Sequence, residues 1–322
     1  MIQSTLQPAF QLEVSTVKAF AELLPRLGAR HKNLVVLDGN SSKLFQTGAF
    51  ALHFPERHFN FGNSQQSQIA AACGFTVRGK IPLVLNTAIS LTGRAWEQIR
   101  NQVCQANLNV KIIGCDAGLL FGQDGGNFQA LEDFAILRAI PNMKILCPAD
   151  AVETKKMLEA MMNDYGPTYL RLSTHPLPVL YGQNHEFRFG KASIYKPGTD
   201  ICIFATGVTV HTALTAAELL ERDGISTMVV NMGSLKPIDE ALIVECAKSV
   251  FSARIKAKIV TVEDHQIVGG LGTSVSEVLS TYYPVEVLRL GMDGFGESGR
   301  LEDLYKKYRL DGQGIYEAII NN

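Results

Sequence analysis

Apolar runs that do not alternate with polar residues recur along this chain, each followed by a helix-length stretch. They are LVVLDG (34–39), PLVLNTA (82–88), VKIIGCD (110–116), MKILCPA (143–149) and PTYLRLS (167–173). A strand with water on one face alternates apolar and polar residues, whereas one covered on both faces is apolar throughout. The intervening SQIAAACGFTV, GRAWEQIRNQVCQ, FQALEDFAILRAI and DAVETKKMLEAMM have helical character. Asp150 is placed to N-cap the last of these, with Glu153 three positions on to complete a capping box. Strands alternating with helices restrict the chain to an α/β architecture built on mostly parallel sheets.

A polar, glycine-bearing segment, YGQNHEFRFGKASIYKPGTD (181–200), breaks the pattern, which then restarts with ICIFATG, STMVVNMG, KIVTVED and VEVLRLG. Two α/β domains are therefore expected in the 322 residues, spanning 1–185 and 190–322, with the boundary near 181–195.

Thirty basic against 31 acidic residues leave a net charge of −1, without a long run of either sign. That balance argues against a nucleic-acid or anionic-membrane surface. MIQSTLQPAFQLEVS lacks the basic and apolar blocks of a secretory leader, and apolar runs stay short of a membrane span, so a cytoplasmic protein is expected. The six cysteines are scattered, which in a reducing compartment reads as free thiols.

Candidate motifs lie at strand ends. Gly122 to Asn127 (GQDGGN) follows a strand, and Glu263-Asp264-His265 leads into the Gly269–Gly272 turn; each is at least as well read as a structural turn as a ligand loop. Trp96 on a helical stretch reads as core or interface. No His, Cys or carboxylate pair has metal-ligand spacing, so no metal site is expected in this chain. FNFGNSQQSQIAAACGF (59–75) passes from a β-type segment through a Gly-Asn-Ser turn into a helix whose first turn holds Gln65 and Gln66 and no acid.

That stretch resembles the "N-V-G-I-A-E-Q-N" turn-helix of transketolases and of the β subunits of 2-oxo-acid dehydrogenases. GRAWEQIRNQV, the run from NLNVKIIGCD through GLLFGQDGGNFQALEDF to CPADAVET, and PTYLRLS continue the resemblance in order. ATGVTVHTALTAAELL, VVNMGSLKPID and VTVEDHQIVGGLG resemble the C-terminal domain of the same family. The resemblance implies a pyrimidine-binding domain over 1–185 and a transketolase C-terminal domain over 190–322. The cofactor it implies is thiamine diphosphate with Mg2+. The Gly-Asp-Gly…Asn motif with which the family holds diphosphate and metal does not occur in this sequence. A partner chain, an N-terminal transketolase subunit, is therefore expected to supply it, in an α2β2 heterotetramer that transfers a two-carbon ketol unit.

In the family the acid of the turn bonds the far ring nitrogen of the aminopyrimidine and shares a proton with it. Here that position is Gln65, which can hydrogen-bond but not donate and recover a proton. Loss of a positioned acid/base commonly costs about 10²–10⁴-fold in rate. Asn40, Ser41, Asn63, Ser64, Gln65, Leu91 (or Ser90, one register away) and Arg94 are the implied cofactor wall. Asp124 matches the acid that contacts the sugar hydroxyl, with Gln65 the second implied catalytic position. Asp116, Phe128 and Thr174 stand where the family has two histidines and an arginine for substrate, so a substrate other than an ordinary sugar phosphate is implied. Two alternatives remain: a cofactor-binding or regulatory transketolase-like protein without catalysis, and a 2-oxo-acid dehydrogenase β subunit.

Overall fold

The structure, a computed structural model, describes residues 13–250, 256 and 259–322. Most of the N-terminal stretch read for a leader, residues 1–12, lies outside the described residues. Each apolar run forms a strand. Leu34–Asp38, His58–Asn60, Ile81–Thr87, Lys111–Cys115, Lys144–Leu146 and Thr168–Leu172 pair in parallel within one seven-stranded sheet. Ile201–Ala205, Thr227–Asn231, Ile259–Gln266 and Val287–Met292 pair in parallel within a second, five-stranded sheet. Leu34–Asp38, Lys111–Cys115, Thr168–Leu172, Ile201–Ala205 and Thr227–Asn231 are buried along their whole length, as doubly covered strands must be.

Both sheets end on an antiparallel strand. In the second sheet it is Ser193–Lys196, drawn from the polar segment 181–200. In the first it is Ser234–Lys236, which comes from the second half of the sequence and pairs with Lys144–Leu146. The two halves are thus stitched by backbone hydrogen bonds. The stretch GRAWEQIRNQVCQ (93–105), expected as helical, lies in a region that is π-helical at Ser90–Arg94 and Ile99–Cys104 on either side of a short α-turn at Trp96–Gln98. FQALEDFAILRAI forms a helix only over Asp133–Arg138. Five of the six cysteines are buried, Cys73 half-buried, and all are free thiols.

Asp150 caps helix Ala151–Asn163 as expected, its Oδ1 accepting from Glu153 N at 2.7 Å. Glu153 does not complete the box. Its buried carboxylate accepts from Ala149 N at 2.7 Å and from Asn231 Nδ2 at 2.9 Å, the latter reaching over from the second sheet. Burial lifts its pKa from 4.5 to about 7, and Glu263 is likewise lifted to about 7. An acid that holds its proton more tightly when folded contributes stability that is complete below its unfolded pKa and lost as pH rises to the folded value. Each such lift corresponds to about 3 kcal/mol. Between pH 5 and pH 8 the E153Q variant should therefore lose less unfolding free energy than the wild type in urea titrations, by about 2 kcal/mol or more. An unchanged pH slope in E153Q would contradict the assignment.

Candidate functional site

Parallel strands present their C-terminal ends along one edge of a sheet, the usual place for a ligand in an open α/β fold. The positions marked in the sequence leave that edge in spatial order. Thr174 follows Thr168–Leu172, Asp116 and Asp124 follow Lys111–Cys115, and Leu91 and Arg94 follow Ile81–Thr87. Asn40 and Ser41 follow Leu34–Asp38, and Asn63 to Gln65 follow His58–Asn60.

At the end of the row Asn60 Oδ1 accepts from Gly62 N at 2.8 Å, which folds the turn before helix Gln65–Val77. Ser64, the N-cap, makes no side-chain capping bond, and the first helical turn holds no acid. The free N–H groups and the positive end of the helix dipole therefore face outward. Asn63, Ser64, Gln65, Gln66 and Ser67 line an open cleft of about 510 Å³ together with Arg94, which the π-helical segment delivers from the neighbouring connection. Gln65 is only 5% exposed, and its amide has no protein hydrogen-bond partner among the described residues. Arg94 is the one charged group lining the cleft. Amides, hydroxyls and a guanidinium can bind and orient a polar heterocycle, but none can relay a proton near neutral pH.

The remaining expected residues divide. Asn40 is exposed, in the left-handed backbone region at φ 63°. Ser41 is buried: its N–H goes to Asp38 Oδ1 at 2.6 Å and its hydroxyl to Leu85 O at 3.1 Å, so it shapes the turn and offers no free hydroxyl. Leu91 needs correction as a cofactor contact. It is 0% exposed, packed with Ile69, Ala72, Ala95 and Phe134 in the core, because the π-helical turn points it inward. Ser90, the alternative, is half-buried with its Oγ accepting from Thr87 Oγ1 at 2.8 Å.

Asp116 and Thr174 meet directly. The Asp116 carboxylate accepts from Thr174 N and from Thr174 Oγ1, both at 2.8 Å. Asp116 is buried, and desolvation raises its pKa against those two bonds. The pair is an internal clamp between two strand ends, so Asp116 does not stand free as a substrate ligand. Asp124 and Phe128 lie apart from the cleft lining, exposed on the loop after Lys111–Cys115, where Phe128 packs on Phe121 at 5.8 Å between ring centroids. That loop runs on as non-helical chain to Asp133.

The Glu263-Asp264-His265 strand end and its glycine turn are structural. Glu263 accepts from Leu271 N at 2.6 Å and Gly272 N at 2.8 Å, capping helix Leu271–Tyr282. His265 is fully buried against Phe134; its Nε2 accepts from Ala135 N at 3.2 Å, and burial pushes its pKa down to about 4. Trp96 is partly exposed, its indole N–H directed at Ile136 O at 3.5 Å.

A buried polar cluster between the halves has no counterpart among the expected sites. Arg171 Nη2 donates to Asp264 O at 2.7 Å, and its Nη1 lies 3.7 Å from Asp133 Oδ1. The Tyr169 hydroxyl donates to Asp133 Oδ2 at 2.7 Å. Its only signal in sequence is a charge set inside an apolar run, as in PTYLRLS and VTVEDH.

The transketolase pyrimidine binding domain profile matches residues 13–179, and the transketolase C-terminal domain profile matches 190–315. The chain belongs to the transketolase family. A putative transketolase C-terminal section from Methanocaldococcus jannaschii is 42% identical over 307 residues, covering 94% of each chain. A 6-deoxy-6-sulfo-D-fructose transketolase subunit, SqwH, from a Clostridium species is 32% identical, covering 93% of this chain and 91% of its own. Against the rat transketolase, 30% identical, this chain spans 49% of the relative's length. A solved split gene transketolase, described as an inactive beta4 tetramer, superposes with a TM-score of 0.86 at 38% identity, over 96% of this chain and 97% of that one. Transketolases use thiamine diphosphate and a divalent metal. No described helix of this chain is long and apolar enough to cross a membrane.

Removing one donor from the Asp116 clamp leaves a buried carboxylate underbonded. Thr174→Val, which keeps the shape and the backbone N–H, should lower the unfolding free energy at pH 7 by about 1–3 kcal/mol and by less at pH 3, below the ordinary aspartate value from which burial raises Asp116. Equal losses at both pH values would place the cost elsewhere.

Proposed function

We propose that this chain is the pyrimidine-binding and C-terminal subunit of a transketolase divided between two polypeptides. The single observation that carries this reading is Gln65, largely buried and with no protein hydrogen-bond partner for its amide among the described residues, at the uncapped start of helix Gln65–Val77, in a cleft lined by one cation and no carboxylate. Such a cleft fits the aminopyrimidine of thiamine diphosphate, whose ring nitrogens and amino group match amide and hydroxyl partners. It does not fit the diphosphate end: among the described residues no cluster of three or more His, Cys, Asp or Glu could hold a metal. Diphosphate and metal fall to a partner carrying Gly-Asp-Gly…Asn, in an α2β2 assembly. Near end-to-end similarity to a separate transketolase C-terminal section and to a split gene transketolase supports this division.

When bound, thiamine diphosphate supplies a nucleophilic carbon for two-carbon ketol transfer between a ketose and an aldehyde. Gln65 orients the ring by hydrogen bonding at the position where the family uses an acid. Asn63, Ser64 and Arg94 border it, Asn40 flanks it from the next turn, and Asp124 contacts a substrate hydroxyl with Phe128 beside it. With Asp116 and Thr174 turned on each other, the family's cations are missing at these positions. Arg94 remains as a cation near the ring, so a substrate without a terminal phosphate is favoured. The Gln65 amide also motivates a second reading, a subunit that docks cofactor without turnover.

The test is reconstitution with a partner chain bearing the diphosphate motif, followed by ketol transfer and exchange of the thiazolium proton. Gln65→Glu should raise the exchange rate by about 10²-fold or more, as a restored acid/base group would. Measurable transfer by the wild-type complex supports the enzyme; tight cofactor binding without proton exchange supports the second reading. Tight binding of the intact cofactor and Mg2+ by this chain alone would overturn both.

A further inference from the structure

The segment from Gly118 to Ala130 carries Asp124 at the end of a 3-10 turn, Gly118–Asp124, and bonds from Gly125 N to Gly122 O and from Phe128 N to Gly125 O shape it from within. Its base is closed by Gly118 N donating to Ala130 O at 2.8 Å, beside a bridge between Ala117 and Ala130. Between those points lie Gly122, Gly125 and Gly126, so the loop has much backbone freedom to lose. The second half of the chain anchors it further. Both oxygens of Asp264 accept the Leu119 N–H, at 2.9 and 3.1 Å. Gly299 N donates to Gly122 O at 3.3 Å, Gln129 Nε2 donates to Glu297 O at 3.0 Å, and the Ser298 hydroxyl donates to Gln123 O.

Asp264 is the buried member of this set, and it is itself fixed. The Tyr305 hydroxyl donates to its Oδ2 at 2.9 Å, and Arg171 holds its backbone carbonyl at 2.7 Å. Its carboxylate occupies the space a side chain on Gly118 would need: a Cβ there would sit 2.3 Å from Asp264 Cγ, at a φ of +72° that already favours glycine. The first bend of the loop is thus moulded around one carboxylate from another domain.

We propose that Asp264 is a positioning residue for the Asp124 loop, through which the C-terminal half tunes substrate affinity without lining the Gln65 cleft. The effect on substrate rests on the reading of Asp124 as the substrate contact; the effect on the loop does not. A carboxylate that only filled buried space would stabilise the whole fold and leave the loop no more affected than either sheet.

The test compares D264A, D264N and Y305F in the full chain. Asparagine keeps an acceptor for Leu119 N–H and a donor for the Tyr305 oxygen; alanine keeps neither. By hydrogen–deuterium exchange of the chain alone, amides of 119–128 should exchange at least about tenfold faster in D264A. D264N should stay within about threefold of wild type, and strand amides of 201–205 should be unchanged in both. Should D264A fail to fold, Y305F decides, since freeing Oδ2 should accelerate the same loop amides selectively. In the reconstituted complex, with D-xylulose, a ketose without a phosphate, as probe, D264A should raise KM about tenfold with kcat within about threefold, and D264N should restore KM. Loop and strand amides accelerating together, or loop protection unchanged in D264A and Y305F, would overturn the proposal. Selective loosening of the loop with KM unmoved would leave the positioning intact and remove Asp124 from the substrate site. A complex without turnover would leave the exchange result to decide the loop and would count against the enzymatic reading alone.

Discussion

A guanidinium taken out of water is tolerable only where carboxylates and carbonyls surround it, and Arg171 is held on those terms. It is buried at the end of strand Thr168–Leu172, facing Asp133 in its own half and the backbone of Asp264 in the other. The nearby carboxylates raise its pKa further despite desolvation, so it stays charged. Breaking such a buried pair from one side commonly costs about 3–5 kcal/mol, because the surviving charge is stranded. The two halves are therefore matched to each other at this point rather than merely in contact.

Two further contacts between the halves depend on the same alignment. Strand Ser234–Lys236 joins the edge of the first sheet only if the second half approaches in one orientation. The Asn231–Glu153 pair then closes at 2.9 Å on a carboxylate that burial holds partly protonated near neutral pH. Backbone pairing, a buried cation and a buried acid thus fix one arrangement, and the row of strand ends that forms the candidate site lies along it.

The electrostatic character of that row is unusual for a family that handles phosphorylated cofactor and sugars. Its one buried acid near the substrate end, Asp116, is consumed by Thr174, and the cleft around Gln65 is neutral except for Arg94. The cleft offers shape, hydrogen bonds and a single guanidinium.

Residue types and their spacing were enough to determine the α/β class, the strand sequence, the break near 181–200 and the turn-helix holding Gln65, since burial on both faces and helix periodicity are local properties of sequence. Only the resemblance to the transketolase family singled out Asp116, Thr174, Asp124 and Arg94. Which of these point into a cleft was decided only by the fold. A π-helical turn buries Leu91 and exposes Arg94, and two strand ends brought side by side turn Asp116 onto Thr174. The pairing of Arg171 with Asp133 and Asp264, and the hold of Asp264 on Leu119, could not be read in one dimension, because their members stand up to 145 positions apart. Hydrogen bonds across such separations depend on how two sheets pack, and packing is a property of the assembled chain.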